Sequence, residues 1–281
     1  MKHHETRFQT SDNLSLYGQS WIPDTQAKAV IILIHGSLEH SGRYSHIAGY
    51  FVQHGYTVYA FDLRGHGRSE GERAFIGSFN LLLLDMESFI AFVRQKEINK
   101  PIFLLGHSAG GSIIVLSAIN NNLPDIKGAI LSAPVLKLNN GLPPIAAFFS
   151  SFIGKFLPRI KLNKLNAKLL SQDPKVISAY LKDPLVYKEG LFAGVLSEFI
   201  RTINKIQAQM EAVTIPLLIL HGTKDYFADI KGSKQLYDRS CSKDKTLNLY
   251  DNFYHELFNE PEKERVFSDI IAWLNKRVEL T

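Results

Sequence analysis

Five short runs of apolar residues recur along this chain, and they restrict its fold more than any other feature. Unbroken runs rich in Val, Ile and Leu are typical of strands buried on both faces, and such strands occur in parallel sheets covered by helices. A less regular sixth run also resembles a strand. The five runs are residues 29–35, 56–62, 101–106, 128–133 and 215–222, and the sixth is residues 245–250.

Helix-like stretches separate these runs, at residues 43–54, 80–96, 110–121, 231–238 and 262–278. This alternation predicts an α/β fold with a mostly parallel central sheet flanked by helices. Near the start, residues 7–9 and 14–21 flank the turn-rich sequence "TSDN". They predict an antiparallel hairpin at the edge of the sheet.

The alternation stops between residues 135 and 211. Helix-like pieces follow one another there, punctuated by "GLPP", "LPR" and two "DP" pairs. We interpret this segment as a helical cap inserted over the C-terminal edge of the sheet, with residues 1–134 and 212–281 forming the core. The segment holds 11 Lys and Arg against 5 Asp and Glu, so its net charge is +6 and the rest of the +5 chain carries −1. The basic charge is therefore local, and we do not expect a nucleic-acid partner.

The composition is that of an ordinary globular chain, with 45% hydrophobic and 21% charged residues among 281. A single cysteine, Cys241, excludes an intrachain disulfide and fits a reducing compartment. The start, "MKHHETRFQT", lacks the apolar region of a signal peptide, and no apolar run approaches the roughly 20 residues of a membrane span. We expect a cytoplasmic protein.

Residues 106–110 read "GHSAG", a G-x-S-x-G sequence. A buried strand precedes it and the helical pattern "GGSIIVLSAI" follows it. This is the setting of a nucleophile elbow, in which the serine occupies a strained turn with its Oγ exposed. The alternative is a tight strand–helix connection with a solvated serine, but the context favours Ser108 as a nucleophile.

A serine hydroxyl needs a base, and the base needs a group that orients it. In an elbow-type fold the chain order is Ser, then Asp or Glu, then His. Asp225 follows the fifth run and His255 follows the sixth, so both should converge on Ser108 at the carboxyl edge of the sheet. Asp229 and Asp251 lie in the same loops, but Asp225 is closest to the end of a strand.

Other reactive side chains fit structural roles better. His35, His107 and His221 border strand ends and are interpreted as packed or hydrogen-bonded histidines. His66 lies in "RGHGRSEG", which lacks the third glycine and following helix of a dinucleotide site, so no cofactor is expected there. Cys241 has no matching base.

An oxyanion hole is also required for ester chemistry. One donor should be the backbone N–H of Ala109, the residue after the nucleophile. The second should come from the loop "HGSLEHSGRY" after the first of the five runs, where Ser37 is the best candidate.

The chain resembles the monoacylglycerol lipase and lysophospholipase branch of the α/β-hydrolases. The resemblance rests on "HGSLEHSGRY", "FDLRGHGRSEG", "GHSAGG", "DPLVYKEGL", "HGTKDYFADIKGS" and "YHELFNE", which occur in the family's order. It implies an α/β-hydrolase fold with no cofactor, and the same triad and oxyanion donors. It also implies that Glu39 and Arg43 line the polar end that receives glycerol; the alternative is a surface ion pair that only orders the loop. Asp62 and Arg64 would brace the loop beside the elbow.

Two positions depart from the pattern of that branch. Ala109 replaces the more usual Met, which preserves the backbone donor. Phe258 stands where some members carry a second histidine near the glycerol end, so headgroup recognition differs in detail.

The segment 135–211 contains an aromatic stretch, "PIAAFFSSFIGKFLPRIKL". We interpret Phe148, Phe149 and Phe152 as substrate-binding residues of an acyl-binding lid. Its outer, basic side would meet a membrane or micelle. The alternative is that these aromatic residues only pack the cap on the core.

Taken together, these features predict a serine hydrolase that cleaves esters of single-chain lipids, first of all monoacylglycerols, through an acyl-enzyme. A lysophospholipase or a broad carboxylesterase would use the same triad. A hydrolase-fold ligand-binding protein without activity is the alternative from a different class.

Overall fold

The five apolar runs form adjacent strands of one sheet in the computed structural model, which describes residues 1–138, 154, 156–162 and 164–279. The strands of this sheet are β1 Lys2–Gln9, β2 Ser15–Ile22, β3 Ala29–Ile34, β4 Tyr56–Phe61, β5 Ile102–His107, β6 Ile126–Ser132, β7 Leu217–Gly222 and β8 Lys245–Tyr250. Their spatial order is β1-β2-β4-β3-β5-β6-β7-β8.

Strand directions agree with the sequence expectation. The hairpin of β1 and β2 is antiparallel, and β2 also runs antiparallel to β4. Every other neighbouring pair is parallel, from β4 through β8. The carboxyl ends of β3, β5, β6, β7 and β8 therefore lie along one edge, where the candidate site residues follow.

The sheet is buried on both faces because successive side chains point to opposite sides. Along β3, Ile32 and Ile34 pack into one hydrophobic cluster and Ile31 and Leu33 into the other, and all four are fully buried. This explains why the strands have no alternation of polar and apolar residues. The sequence-predicted mostly parallel α/β fold is confirmed.

Helices cover both faces. The α-helices in the described residues are α1 Ser45–Gln53, α2 Phe79–Lys96, α3 Ala109–Ile119, α4 Pro174–Lys182, α5 Ala193–Gln209, α6 Ile230–Arg239 and α7 Lys263–Val278. Residues of α1 and α7 belong to one core cluster, and residues of α2, α3, α5 and α6 belong to the other. None of these described helices is long and apolar enough to span a bilayer.

Local chemistry determines where several helices begin. The Asp173 carboxylate accepts a hydrogen bond from the Lys175 N–H, and Pro174 occupies the first turn of α4. Asp229 caps α6 in the same way, accepting from the Lys231 N–H. Asp229 is therefore a capping residue, which accounts for its position beside the predicted catalytic acid.

Between residues 135 and 211, the described residues include α4, α5 and the 3-10 turn Ala167–Leu169. Helix α5 is amphipathic, and Phe199, Ile203 and Ile206 on its buried face join the core beneath the sheet. Phe199 meets Phe79 of α2 at a centroid distance of 4.9 Å. The predicted lid residues Phe148, Phe149 and Phe152 lie outside the described residues.

The turn after β5 leaves no room for side chains at its glycines. A Cβ on Gly110 would lie 2.2 Å from the backbone oxygen of Ile34. We expect Gly110→Ala to lower the free energy of unfolding by about 1–3 kcal/mol, the usual cost of overpacking, and to reduce esterase activity because Ser108 must move.

Gly49→Ala provides the matched control, since a Cβ on this glycine in α1 would meet nothing within 4 Å. Alanine is the better helix former, so this variant should gain about 0.5–1 kcal/mol. Urea denaturation of both variants measures the difference, and equal stability of the two would contradict the packing argument.

Candidate active site

Ser108 lies on the turn between β5 and α3 with φ 54° and ψ −116°, outside the regions that side-chain-bearing residues normally adopt. Such a conformation costs on the order of 1–3 kcal/mol and persists only when its surroundings hold it. Here the Ser108 N–H donates to the Ser132 carbonyl at 2.9 Å, and its carbonyl accepts from the Val135 N–H at 3.2 Å. The neighbouring strand end thus maintains the strained turn.

The three residues predicted as a triad meet at this turn. His255 Nε2 lies 2.9 Å from Ser108 Oγ, and His255 Nδ1 lies 2.7 Å from Asp225 Oδ2. An ionised carboxylate can only accept, so Nδ1 carries the proton and donates it to Asp225. Nε2 is then free to accept the Ser108 hydroxyl proton, which is the arrangement of a base and its nucleophile.

The environment of Asp225 keeps it charged. Its Oδ1 accepts from the backbone N–H groups of Phe227 and Ala228 at 2.7 and 3.0 Å, and His221 lies 3.3 Å from Oδ2. Burial opposes ionisation, but the charge of His255 and the hydrogen bonds with the His221 and His255 side chains outweigh it and hold the Asp225 pKa far below its usual range.

The pKa of His255 is shifted in the opposite direction. Burial of the ring lowers its pKa, but the Asp225 carboxylate outweighs that effect, with smaller contributions from Glu256 and Glu39. The net result is a His255 pKa above its ordinary value. The imidazolium formed when His255 takes the serine proton is therefore stabilised in place.

The two predicted oxyanion donors border the same space. Ala109 opens α3, where a backbone N–H has no partner within the helix. Ser37 lines the cavity that contains Ser108, on a loop so close that a Cβ on Gly36 would lie 3.1 Å from the Ser108 Cβ. The Gly36 N–H donates to Glu39 Oε1 at 2.7 Å, so it is already engaged.

Glu39 and Arg43 form a buried pair, with side-chain exposures of 5% and 10%. The alternative of a surface ion pair is therefore wrong. Arg43 Nη1 donates to Glu39 Oε2 at 2.5 Å, and the guanidinium stacks on the Tyr180 ring with 4.9 Å to its centroid. Burial opposes ionisation of Glu39, but Arg43 with His107 and His35 lowers its pKa to about 2.

Glu256, which the sequence reasoning missed, completes this cluster. Both its oxygens accept from Arg43, at 2.8 Å for Nη1 and 2.7 Å for Nη2, and its side chain is 5% exposed. Its position directly after His255 was the available signal, because the chain around a catalytic base lies against the cavity. Tyr180 carried no such signal, since only folding places it beside Arg43.

A cavity of about 270 Å³ joins these groups. Ser108, His255 and the Glu39, Arg43 and Glu256 cluster all line it. The other described lining residues are mostly apolar, among them Leu138, Leu165, Leu170, Leu191, Leu196, Phe199 and Phe227. The cavity beside the nucleophile therefore combines one charged cluster with a mostly apolar wall.

Residues of the segment 135–211 bond directly to both catalytic loops. The Tyr187 N–H donates to the Leu38 carbonyl at 2.9 Å, on the loop that carries Ser37. The Glu256 N–H donates to the Leu170 carbonyl at 2.9 Å, beside His255. Movement of this segment would therefore move both walls of the cavity.

The remaining sequence-predicted residues lie around the site without reaching the nucleophile. The Asp62 carboxylate accepts from the Ser41 N–H and hydroxyl at 2.8 and 2.6 Å, and Arg64 pairs with Asp12 and Asp85. These contacts hold the loops beside the elbow. Asp251 accepts from the Thr223 hydroxyl at 3.0 Å.

The histidines to which the sequence assigned structural roles have hydrogen-bond partners in the protein. His35 Nδ1 lies 2.6 Å from the Gly36 carbonyl and His66 Nδ1 lies 2.9 Å from the Arg64 carbonyl. His221 Nδ1 lies 2.7 Å from the Ser233 hydroxyl. Across the part of the chain that the structure describes, no group of three or more His, Cys, Asp or Glu side chains could hold a metal ion. Cys241 is exposed.

The sheet is mostly parallel, a serine lies on the strained turn after a central strand, and an acid and a base lie on two later loops. Together these features define an α/β-hydrolase. The chain belongs to the serine aminopeptidase (S33) family of these enzymes, whose model matches residues 25–262.

Relatives of known activity agree with this membership. The chain is 36% identical over 255 residues to the monoacylglycerol lipase of Mycolicibacterium smegmatis, covering 90% of each chain. It is 32% identical over 273 residues to the human monoglyceride lipase, covering 95% of this chain and 89% of that one. The crystal structure of Paleococcus ferrophilus monoacylglycerol lipase superposes with a TM-score of 0.81 at 29% identity, over 99% of this chain and 100% of that one. The resemblance to this branch of carboxylic ester hydrolases is confirmed.

The pH dependence of kcat/KM tests the acid–base arrangement. Protonated His255 cannot accept the serine proton, so kcat/KM should fall as pH decreases through a pKa above about 6.5, the ordinary value for histidine. Asp225→Asn removes the charge that raises this pKa. In this variant we expect the acidic limb of the pH profile of kcat/KM to move to lower pH. We also expect kcat to fall about 10⁴-fold, as in other serine triads.

Asp229→Asn is the matched control, because asparagine caps a helix as well as aspartate does. We expect a profile close to that of the unsubstituted protein. An acidic limb that stays in place in Asp225→Asn, or that moves equally in Asp229→Asn, would show that Asp225 does not act on His255.

Proposed function

We propose that this carboxylic ester hydrolase cleaves monoacylglycerols into glycerol and a fatty acid, with Ser108, His255 and Asp225 as its triad. The observation that carries the proposal is the hydrogen-bonded chain from Asp225 through His255 to Ser108, beside a cavity that combines a charged cluster with a mostly apolar wall. The names of the bacterial and human relatives support the choice of substrate.

The geometry supports a two-step reaction through an acyl-enzyme. His255 Nε2 takes the Ser108 proton as Oγ attacks the ester carbonyl, and Asp225 holds the resulting imidazolium. The backbone N–H groups of Ala109 and Ser37 receive the negative oxygen of the tetrahedral intermediate. The imidazolium then protonates the leaving glycerol oxygen as the ester C–O bond breaks. Water, deprotonated by His255, releases the fatty acid from the acyl-enzyme in the second half of the reaction.

The apolar and charged lining residues suit the two parts of a monoacylglycerol. The leucines and phenylalanines of the wall offer an apolar surface to a single acyl chain. The carboxylates of Glu39 and Glu256 can accept hydrogen bonds from the two free hydroxyls of the glycerol part.

We assign residues 135–211 to a cap over a core made of residues 1–134 and 212–281. Eight of the described lining residues lie in this segment, which supports a role in covering the substrate: Val135, Leu138, Leu165, Leu170, Tyr180, Leu191, Leu196 and Phe199. The hydrogen bond that Tyr187 donates to Leu38 and the one that Leu170 accepts from Glu256 support coupling of this cap to the site.

A substrate panel tests the proposed activity. At equal acyl chain, kcat/KM should be highest for monoacylglycerol and lower for diacylglycerol, triacylglycerol and lysophospholipid. Ser108→Ala should reduce hydrolysis to the uncatalysed background plus the oxyanion contribution, a loss of about 10⁴-fold or more. A fluorophosphonate probe should label the unsubstituted protein and not this variant.

Ser37→Ala serves as the control, because it keeps the backbone N–H proposed as the oxyanion donor. We expect at most a few-fold loss of activity. Absence of labelling in the unsubstituted protein would favour a ligand-binding protein, and a preference for short-chain esters over monoacylglycerol would favour a general carboxylesterase.

The same proposal includes contact with lipid surfaces. Leu157 and Ile160 are 56% and 44% exposed, in the basic segment before α4. Arg159 and Lys161 beside them pair with Glu72 and Glu189, so apolar contact rather than charge should dominate. We expect the double variant Leu157→Ser, Ile160→Ser to bind phosphatidylcholine vesicles several-fold more weakly in sedimentation.

Ile98→Ser is the control for vesicle binding, because Ile98 is 73% exposed and lies just before β5, at the amino ends of the parallel strands. This variant should bind vesicles as the unsubstituted protein does. Equal loss in both variants would show that binding depends on general surface hydrophobicity and not on residues 157 and 160.

A further inference from the structure

The charged cluster in the cavity wall carries more negative than positive charge. Glu39, Arg43 and Glu256 together have a formal charge of −1, and all three line the cavity that holds Ser108. Arg43 is the single Arg or Lys among the described lining residues. A substrate whose alcohol part is anionic would therefore meet repulsion there, while a neutral alcohol would not.

Arg43 is already paired with two protein carboxylates. Its Nη1 bonds to both Glu39 and Glu256, its Nη2 bonds to Glu256, and one face of the guanidinium covers Tyr180. Two of these contacts form the bidentate fork by which arginine ordinarily binds phosphate. A phosphate group could use that fork only by displacing Glu256.

Glu256 retains the capacity to accept a further hydrogen bond. Its Oε2 accepts from Arg43 and, at 2.8 Å, from the Asn259 amide. Within the described residues, its Oε1 accepts one hydrogen bond, from Arg43. A carboxylate oxygen has about two acceptor sites. A neutral hydroxyl can donate to the remaining site, but a phosphate dianion has no proton to donate.

From these contacts we propose that Glu256 is a specificity-determining residue, which excludes substrates with an anionic alcohol part by occupying Arg43 and leaving the site negative. This inference rests on the proposed monoacylglycerol activity. Glu256 determines whether the enzyme prefers a neutral glycerol or a phosphorylated glycerol as the alcohol part. It thereby distinguishes two lipid classes that the same triad could cleave.

The test compares two substrates that differ only in one phosphate: 1-lauroylglycerol and 1-lauroylglycerol 3-phosphate. The unsubstituted protein should favour the neutral ester by at least 100-fold in kcat/KM. Glu256→Gln keeps the size of the side chain and removes its charge, which leaves the cluster neutral. We expect the preference to fall by at least tenfold, mainly through faster hydrolysis of the phosphorylated ester.

Two further variants isolate the charge at this position. Glu256→Asp keeps the charge and should keep most of the preference. Glu262→Gln removes the same charge from an exposed residue that pairs with Arg265, and should leave the preference unchanged. Hydrolysis of p-nitrophenyl butyrate, whose alcohol part is not a glycerol, reports whether each variant retains a working triad.

A measurement on the unsubstituted protein avoids any problem of folding in the variants. Inhibition of p-nitrophenyl butyrate hydrolysis should be at least tenfold stronger for 1-O-dodecylglycerol than for dodecyl phosphate. Equal or stronger inhibition by the phosphate would overturn the proposal.

The remaining outcomes distinguish this inference from the proposed function. Hydrolysis of 1-lauroylglycerol with an unchanged preference in Glu256→Gln would overturn the role of Glu256 and leave the monoacylglycerol activity standing. A protein that cleaves p-nitrophenyl butyrate but neither lauroyl ester would overturn both.

Discussion

The close approach of the start of α3 to the end of β3 is the constraint on which the site depends. Gly110 lies so near the Ile34 backbone that no side chain fits between them, and Gly106 approaches Gly110 on the same turn. This packing holds Ser108 at a positive φ and exposes its hydroxyl at the carboxyl edge of the sheet. The strain is local, and the buried pairings of β5 with β3 on one side and β6 on the other supply the rigidity that maintains it.

Two polar networks lie beside this turn. One runs through His255 to Asp225 and its backbone donors, and it favours the protonation states that a serine nucleophile and its base need. The other links Glu39 to Arg43 and Glu256, and it determines the charge of the cavity wall that these residues form. The chain places His255 and Glu256 next to each other, so the base and the charged cluster share one loop.

Much of the fold could be predicted because each buried strand and amphipathic helix has its own local pattern. The sequence-based predictions differ from the structure at the ends of elements, because tertiary contacts determine at which residue an element begins. Strand β7 begins at Leu217 rather than at residue 215, because Pro216 has no N–H to donate whereas the Leu217 N–H donates to Asp244. The helix predicted from residue 43 begins as the 3-10 turn Ser41–Tyr44, where the Asp62 carboxylate binds the Ser41 N–H and hydroxyl.

By itself the sequence determined the parallel sheet, the elbow and the order of Ser108, Asp225 and His255, because these depend on short patterns and on their position after strands. Only the tertiary structure decided that Glu39 and Arg43 are buried and that Glu256, 213 residues from Arg43, pairs with it. The same is true of Tyr180 against the guanidinium. Contacts between distant residues leave no periodicity in the chain, and whether a charge pair is exposed or buried depends on what the folded chain places over it.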